Sequence, residues 1–237
     1  MQFQSKLSYA KLLKRYKRFL VDIETPDGIN TIHCANTGRM TGCADEGFTA
    51  YYSTSSNKKR KYAHSLELTQ NNDGQFICVN TSLANHIVAE AIQKYQIPEL
   101  NGYESLKQEI KYGDENSRID ILLSHDDEPD CYVEVKSVTL LEGQQRGFFP
   151  DAVSARGAKH LRELAAMKQA GKRAVLFFLV QHSGIKSVSP AAHIDPTYAE
   201  EIKKAIDEGV EIICYRTHIS PDEIVIDKPV PFIESKM

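Results

Sequence analysis

The sequence predicts a two-part α/β protein: a small β-barrel over residues 1–80, then a mixed sheet flanked by helices over residues 81–237. Three observations carry that expectation. About five short strand-like runs separated by turn signals fill the first part. Helical and strand periodicities alternate in the second. The charge also changes sign: eleven of the 29 Lys/Arg but only seven of the 32 Asp/Glu lie in residues 1–80, leaving a basic front and an acidic remainder. A basic module suits a polyanion, and an acidic one can hold metal ions.

In the front part, residues 15–21 are β-prone. Pro26-Asp27-Gly28 signals a turn before Thr31-Ile32-His33-Cys34, and Gly38, Gly42 and Gly47 punctuate the next stretch. Further strands are expected over 48–53, 62–68 and 75–79. An OB-like barrel fits this density of short strands best, although a β subdomain without a ligand has the same periodicity. In the second part, Ser82 is placed to cap a helix over 83–95, with Ile87, Ala91 and Ile92 at helical spacing and Pro98 as its stop. Three strands are then expected over 105–112, 117–123 and 131–138. A long helix is expected from Pro150-Asp151 to a stop at Gly171. A strand over 173–181, a helix over 197–208 and a strand over 210–216 complete a mixed sheet.

Composition excludes some classes. With 41% hydrophobic and 26% charged residues the chain is expected to fold. The start has no apolar leader, and the apolar run over 174–180 is too short to cross a bilayer, so no membrane role is expected. Five cysteines without a C-x-x-C pair argue against structural zinc and fit reduced thiols in a cytoplasm.

The chemistry is concentrated in Arg118-Ile119-Asp120-Ile121 and, after a polar loop, Tyr132-Val133-Glu134-Val135-Lys136. Alternation along a strand sets Asp120 opposite Ile119 and Ile121, and puts Glu134 and Lys136 on one face. A hairpin over 124–130 brings Asp120 to Glu134. Two carboxylates side by side on apolar strands call for a cation, and Mg2+ (or Mn2+) prefers such oxygen ligands together with phosphate oxygens. Lys136 could then orient the attacking water or offset charge on the phosphate. E-x-K alone also describes a surface ion pair. The aspartate in the preceding strand makes the pattern that of a PD-(D/E)xK nuclease centre: catalytic Asp120, Glu134 and Lys136, with Asp120 and Glu134 on the metal.

Longer motifs accompany it: His33-Cys34-Ala35-Asn36-Thr37-Gly38-Arg39-Met40-Thr41-Gly42-Cys43, Tyr132 through Leu140, Phe149-Pro150-Asp151-Ala152-Val153 and Gly157-Ala158-Lys159-His160-Leu161-Arg162-Glu163-Leu164. Over nearly its whole length the chain resembles the sugar fermentation stimulation protein A family of bacteria and archaea. That resemblance implies an N-terminal OB-like domain, a C-terminal restriction-endonuclease-like PD-(D/E)xK domain, and DNA, single- or double-stranded, as partner. It also implies the alternative of a non-catalytic transcriptional regulator of sugar (maltose) metabolism genes. Ile119 stands where the signature has its proline, the loosest of its positions.

Two basic-aromatic clusters are candidates for phosphate contacts. One contains Arg15, Lys17 and Arg18 beside Tyr16 and Phe19; the other is Lys58, Lys59, Arg60 and Lys61 beside Tyr62. Each is equally compatible, taken singly, with a solvated surface. Arg39, in the glycine-punctuated segment 36–42, is a further candidate. Arg156, Lys159, His160 and Glu163 share one side of the long helix, a side whose commoner fate is exposure. Lys159 or His160 could add a group to the centre, and Glu90 on the preceding helix could add an acid.

Overall fold

The computed structural model describes residues 1–113, 115 and 117–234. Among the described residues the front part is built from β1 (Ser8–Tyr16), β2 (Leu20–Thr25), β3 (Gly28–Cys34), β4 (Thr49–Thr54), β5 (His64–Gln70) and β6 (Phe76–Cys78). β1, β2 and β3 form an antiparallel meander, β4 pairs with the free edge of β1, and β5 pairs with β4. The parallel pairs His33↔Ser65 and Cys34↔Leu66 join β3 to β5 and close a five-stranded barrel. Closure removes sheet edges that would otherwise be open to other chains. Leu12, Val21, Ile23, Ile32, Ala50 and Leu66 fill the interior.

Residues 15–21 are not one strand. Lys17 and Arg18 have φ of +48° and +65°, so the chain turns there between β1 and β2. Neither is Gly, Asn or Asp, which is why no turn signal marks the place. The Asn80 side chain accepts the N–H of Ser82 and starts a short 3-10 turn, Thr81–Leu83. It leads into α1 (Ala84–Gln93).

β7 (Ser105–Tyr112), β8 (Ser117–Ser124) and β9 (Cys131–Val138) then form an antiparallel meander. β10 (Leu140–Glu142) and β11 (Arg146–Phe149) join a later short strand in a small separate sheet. α2 (Ala155–Gln169) starts at Ala155 rather than at Pro150, because the Ser154 hydroxyl accepts the Gly157 N–H and supplies the cap. β12 (Arg173–Val180), β13 (Ser187–Pro190), α3 (Pro196–Asp207), β14 (Glu211–Ile219) and β15 (Ile224–Pro229) complete the chain's elements. The main sheet runs β15-β14-β12-β9-β8-β7, parallel where β9, β12 and β14 meet.

Both faces of this sheet are covered. Val175, Phe177 and Leu179 of β12 pack under α1 with Val133 and Val135. Leu176 and Phe178 pack under α2 and α3 with Leu161, Leu164 and Tyr198. A strand buried on both faces reads as a continuous apolar run, as residues 174–180 do. Barrel and sheet are tied by backbone bonds, Cys78 N–H to Gln181 O at 2.9 Å and Ser183 N–H to Phe76 O at 2.9 Å. No helix among the described residues is long and apolar enough to cross a membrane.

Candidate active site

β8 is interrupted at Asp120. Toward β9 the paired register ends at Ile121↔Val133, and its continuation would have set Asp120 opposite Glu134. Toward β7 the pairs run Gln108↔Ile121 and Ile110↔Ile119, passing over Asp120, and Glu109 takes a left-handed φ of +56°. Simple alternation therefore fails: Ile119 packs on the α2 side and Ile121 on the α1 side. The Asp120 carboxylate lies in the gap between the strands. Its Oδ2 accepts the Val135 N–H at 2.7 Å and its Oδ1 accepts from Asn85 Nδ2 of α1 at 2.8 Å.

Glu134 and Lys136 share the α2 side, as alternation requires. Glu134 is 1% exposed. Its Oε1 is held by Lys136 Nζ at 2.6 Å and by His160 Nδ1. Its Oε2 is buried with no hydrogen-bond partner among the described residues. Burial, and then the neighbouring charge of Glu134, push the Asp120 carboxyl up to about 6. Burial acts on Glu134 in the same direction, but Lys136 and His160 outweigh it and hold that carboxyl below the usual range. The two acids are thus close and unequal: Glu134 is paired with the Lys136 ammonium and held by the His160 ring, and Asp120 sits beside its charge.

The structure brings Asp120, Glu134, Lys136 and His160 together. It corrects three other expectations. Glu90 lies away from this cluster, bonded to the Met1 amine at 2.9 Å and to Lys94; those contacts hold its carboxyl at about 2. Lys159 reaches the Glu115 carbonyl instead of the carboxylates. The helix side carrying His160 and Glu163 is buried, not exposed, because β9 packs over the first and the turn at Gly113 over the second. Asn85 is a site residue that sequence reasoning missed; it is the second residue of α1, and nothing in its spacing marks it.

The cavity beside the cluster has a volume of about 390 Å³ and is walled by both parts of the chain. Residues 36–38 of the barrel form one wall; Lys136, Ser137 and Arg156 belong to the other. Arg15 is half-buried, and its guanidinium is engaged within the protein. Its guanidinium donates to the carbonyls of Asn36 (2.9 Å), Gly38 (2.9 Å) and Arg39 (3.2 Å), and so shapes that wall. Asp151 Oδ2 accepts the Met40 N–H at 3.0 Å and fastens the loop to the second part. Arg39 is exposed on it. Lys17 and Arg18 are exposed at the β1–β2 turn, and Lys58, Lys59, Arg60 and Lys61 in the β4–β5 loop. These two loops share one end of the barrel, since His33 pairs with Leu20 on one side and Ser65 on the other. Arg60 donates to Ser65 Oγ at 3.0 Å, and Lys61 lies over the Tyr62 ring.

Fold and site together define a class: an OB barrel joined to a restriction-endonuclease-like α+β domain with a mixed sheet. A family profile described as the SfsA N-terminal OB domain matches residues 13–79, and one described as the Sugar fermentation stimulation protein RE domain matches residues 82–223. The chain belongs to the sugar fermentation stimulation protein family. It is 57% identical to a sugar fermentation stimulation protein homolog of Pseudoalteromonas translucida (strain TAC 125), over 98% of this chain and 100% of that one. A homolog of Aeromonas salmonicida (strain A449) is 56% identical over 98% of this chain and 96% of that one. The structure of Pyrococcus furiosus SfsA in complex with Ca2+ superposes with a TM-score of 0.88 at 27% identity, covering 98% of both chains.

Proposed function

We propose that this protein is a divalent-metal-dependent phosphodiesterase acting on DNA, with Asp120 and Glu134 as ligands for Mg2+ or Mn2+ and Lys136 stabilising charge on the phosphate under attack. We divide the chain near residue 80, so that the barrel grips the strand and the second domain carries the reaction. The observation that carries this reading is the Glu134 Oε2 atom, a buried carboxylate oxygen without a partner among the described residues, next to an Asp120 whose own charge is opposed by Glu134. Leaving such an oxygen unpaired costs about 1–3 kcal/mol or more, and a cation between the acids removes both penalties. Among the described residues no three His, Cys, Asp or Glu side chains form a complete ligand set. Two carboxylates are a set that Mg2+ accepts, since it commonly takes one or two and completes its shell with water and phosphate oxygens. The Ca2+ in the Pyrococcus furiosus complex, a hard oxygen-seeking cation, supports the same reading.

When bound, the ion supplies Lewis acidity toward a phosphoryl oxygen and toward the attacking water. Asn85 and the Val135 N–H orient Asp120, and His160 and Lys136 fix Glu134 so that Oε2 remains available. The Lys136 ammonium lies next to the cavity, where it can offset developing negative charge. Lys17, Arg18, Arg39 and Lys58, Lys59, Arg60 and Lys61 neutralise phosphates along the barrel end that leads to that cavity. Five unpaired, buried thiols support a reducing compartment such as the cytoplasm.

Labelled single- and double-stranded DNA, incubated with Mg2+ or Mn2+, should be cut by the parent and left intact by Asp120→Ala. A second reading, a non-catalytic DNA-binding regulator, is favoured by one feature: three of the four carboxylate oxygens of Asp120 and Glu134 already have protein partners. Tight DNA binding with no cutting under either metal would establish that reading instead.

A further inference from the structure

We propose that the substrate strand reaches the acids single-stranded, with one base stacked on the ring of Phe148. The inference names the form of DNA for the phosphodiesterase reading, and it rests on that reading for the phosphate at Asp120 and Glu134. Side chains on β11 alternate between two faces. Gly147 looks into the packed interior, where a Cβ would stand 2.8 Å from Ile185 and 2.9 Å from Val138. Phe149 shares that face, with the rings of Phe178 and Tyr198 at 5.8 and 5.3 Å. Phe148 lies between them in the chain and so points the other way. There it stands beside its strand partner Leu140, on the wall of the cavity that also holds Lys136. Phe148 is half-buried, yet it belongs to none of the hydrophobic clusters among the described residues. The His193 ring meets it at right angles with centroids 5.3 Å apart, a contact that covers at most one ring face. A ring held on a sheet, outside every core and facing a cavity, is a platform for another π-system.

Two features favour an unpaired strand. A base within a duplex is covered on both faces by its neighbours, so it meets an aromatic side chain only after leaving the stack. The cavity walls are also fastened to each other. The Met40 N–H donates to Asp151 Oδ2 at 3.0 Å and Cys43 Sγ to the Thr139 carbonyl at 3.6 Å. A Cβ on Gly38 would come within 3.3 Å of Asp151 Oδ2, so the barrel wall fits closely against the second part. The space between these walls is about 390 Å³, the size of a site for one small ligand such as a nucleotide and not for a double helix. Stacking asks for no particular base, so Phe148 selects the form of the strand and not its sequence.

The test uses the full chain in Ca2+, with the strand checked on a gel to be intact. The sequence contains no tryptophan, so Phe148→Trp places a single indole on the platform. Unlabelled oligothymidylate should quench its fluorescence on binding. A strand of the same length built from abasic nucleotides carries the same phosphates and should not. Phe148→Ala should bind oligothymidylate roughly 5- to 150-fold more weakly than the parent, and the abasic strand equally well. The duplex of oligothymidylate with its complement should bind the parent more weakly than the single strand and leave the indole unquenched. Failure of oligothymidylate to bind, binding without quenching, or an unchanged affinity in Phe148→Ala overturns the stacking. A duplex that binds as tightly and quenches as fully overturns the single-stranded form. If Phe148→Ala does not fold, Phe148→Leu, which keeps an apolar side chain without a ring face, is read in the same way. Absence of DNA cleavage by the parent under Mg2+ or Mn2+ would dismiss the phosphodiesterase reading, while quenching still decides the stacking.

Discussion

The carboxylate of Asp120 accepts the backbone N–H of Val135 at 2.7 Å, at the point where β8 and β9 stop pairing. The strands part at the place where both carry an acid, and a backbone donor of one strand faces the acid of the other. A buried carboxylate held in this way is anchored without being neutralised, which leaves it available to a cation.

Asp120→Asn should therefore change stability little in chelator: it keeps an oxygen for the Val135 N–H and removes a charge that Glu134 opposes, while the Asn85 amide turns to present its oxygen to the new NH2. Addition of Mn2+ at about one hundred times its dissociation constant should stabilise the parent by roughly 2.7 kcal/mol, or about 5–10 °C, and leave the variant unmoved. Differential scanning fluorimetry reads both effects. An equal metal response in the two proteins would remove Asp120 from the ligand set.

Lys136→Ala should retain most of the metal-induced rise in melting temperature but lose cleavage by on the order of 10²- to 10³-fold at saturating DNA. Its ammonium contacts Glu134 Oε1, not the oxygen assigned to the cation. Cutting at the parental rate would show that the proposed role of this lysine is wrong.

The basic residues of the barrel should separate into two kinds. Arg15→Ala leaves three carbonyls without their donor and should cost about 2 kcal/mol in urea unfolding. Joint replacement of Lys58, Lys59, Arg60 and Lys61 by alanine should leave stability nearly unchanged. The log–log salt slope of DNA binding should then flatten by up to about 3, at roughly 0.7–0.9 per lost phosphate contact. If the slope stays at its parental value, the strand lies on another surface.

Glu90 gives a pH dependence with a definite sign. Its carboxyl is held at about 2 by Lys94 and the Met1 amine. A depressed folded value adds stability that is present above the ordinary carboxyl range and is lost as the pH falls toward 2. Glu90→Gln should thus be less stable than the parent at pH 7 by on the order of 1 kcal/mol, after allowance for solvent screening. The two unfolding curves should converge near pH 2. A gap that stays constant with pH would mean that the ion pairs contribute nothing.

Much of the fold is legible in the sequence because its signals are local. β7 and β9 have the limits their periodicity marks, and the apolar run of β12 announces a strand covered on both faces. The start of α2 is misplaced because Pro150-Asp151 resembles a helix start, while the hydroxyl that caps the helix belongs to Ser154. β10, β11, β13 and β15 are not foreseen; runs of three to six residues are too short for periodicity to distinguish.

The sequence by itself determined that an aspartate, a glutamate and a lysine lie on adjacent strands joined by a hairpin, since the two runs are consecutive in the chain and separated only by a short polar loop. Only the tertiary structure decided what surrounds them. Asn85, His160 and Arg156 come from helices on the two faces of the sheet, and no spacing along the chain states which helical side chain meets which strand. The same reason separates the arginines: Arg15 and Arg18 are alike in sequence, but the loop over residues 36–39 brings three carbonyls to the first and leaves the other in solvent.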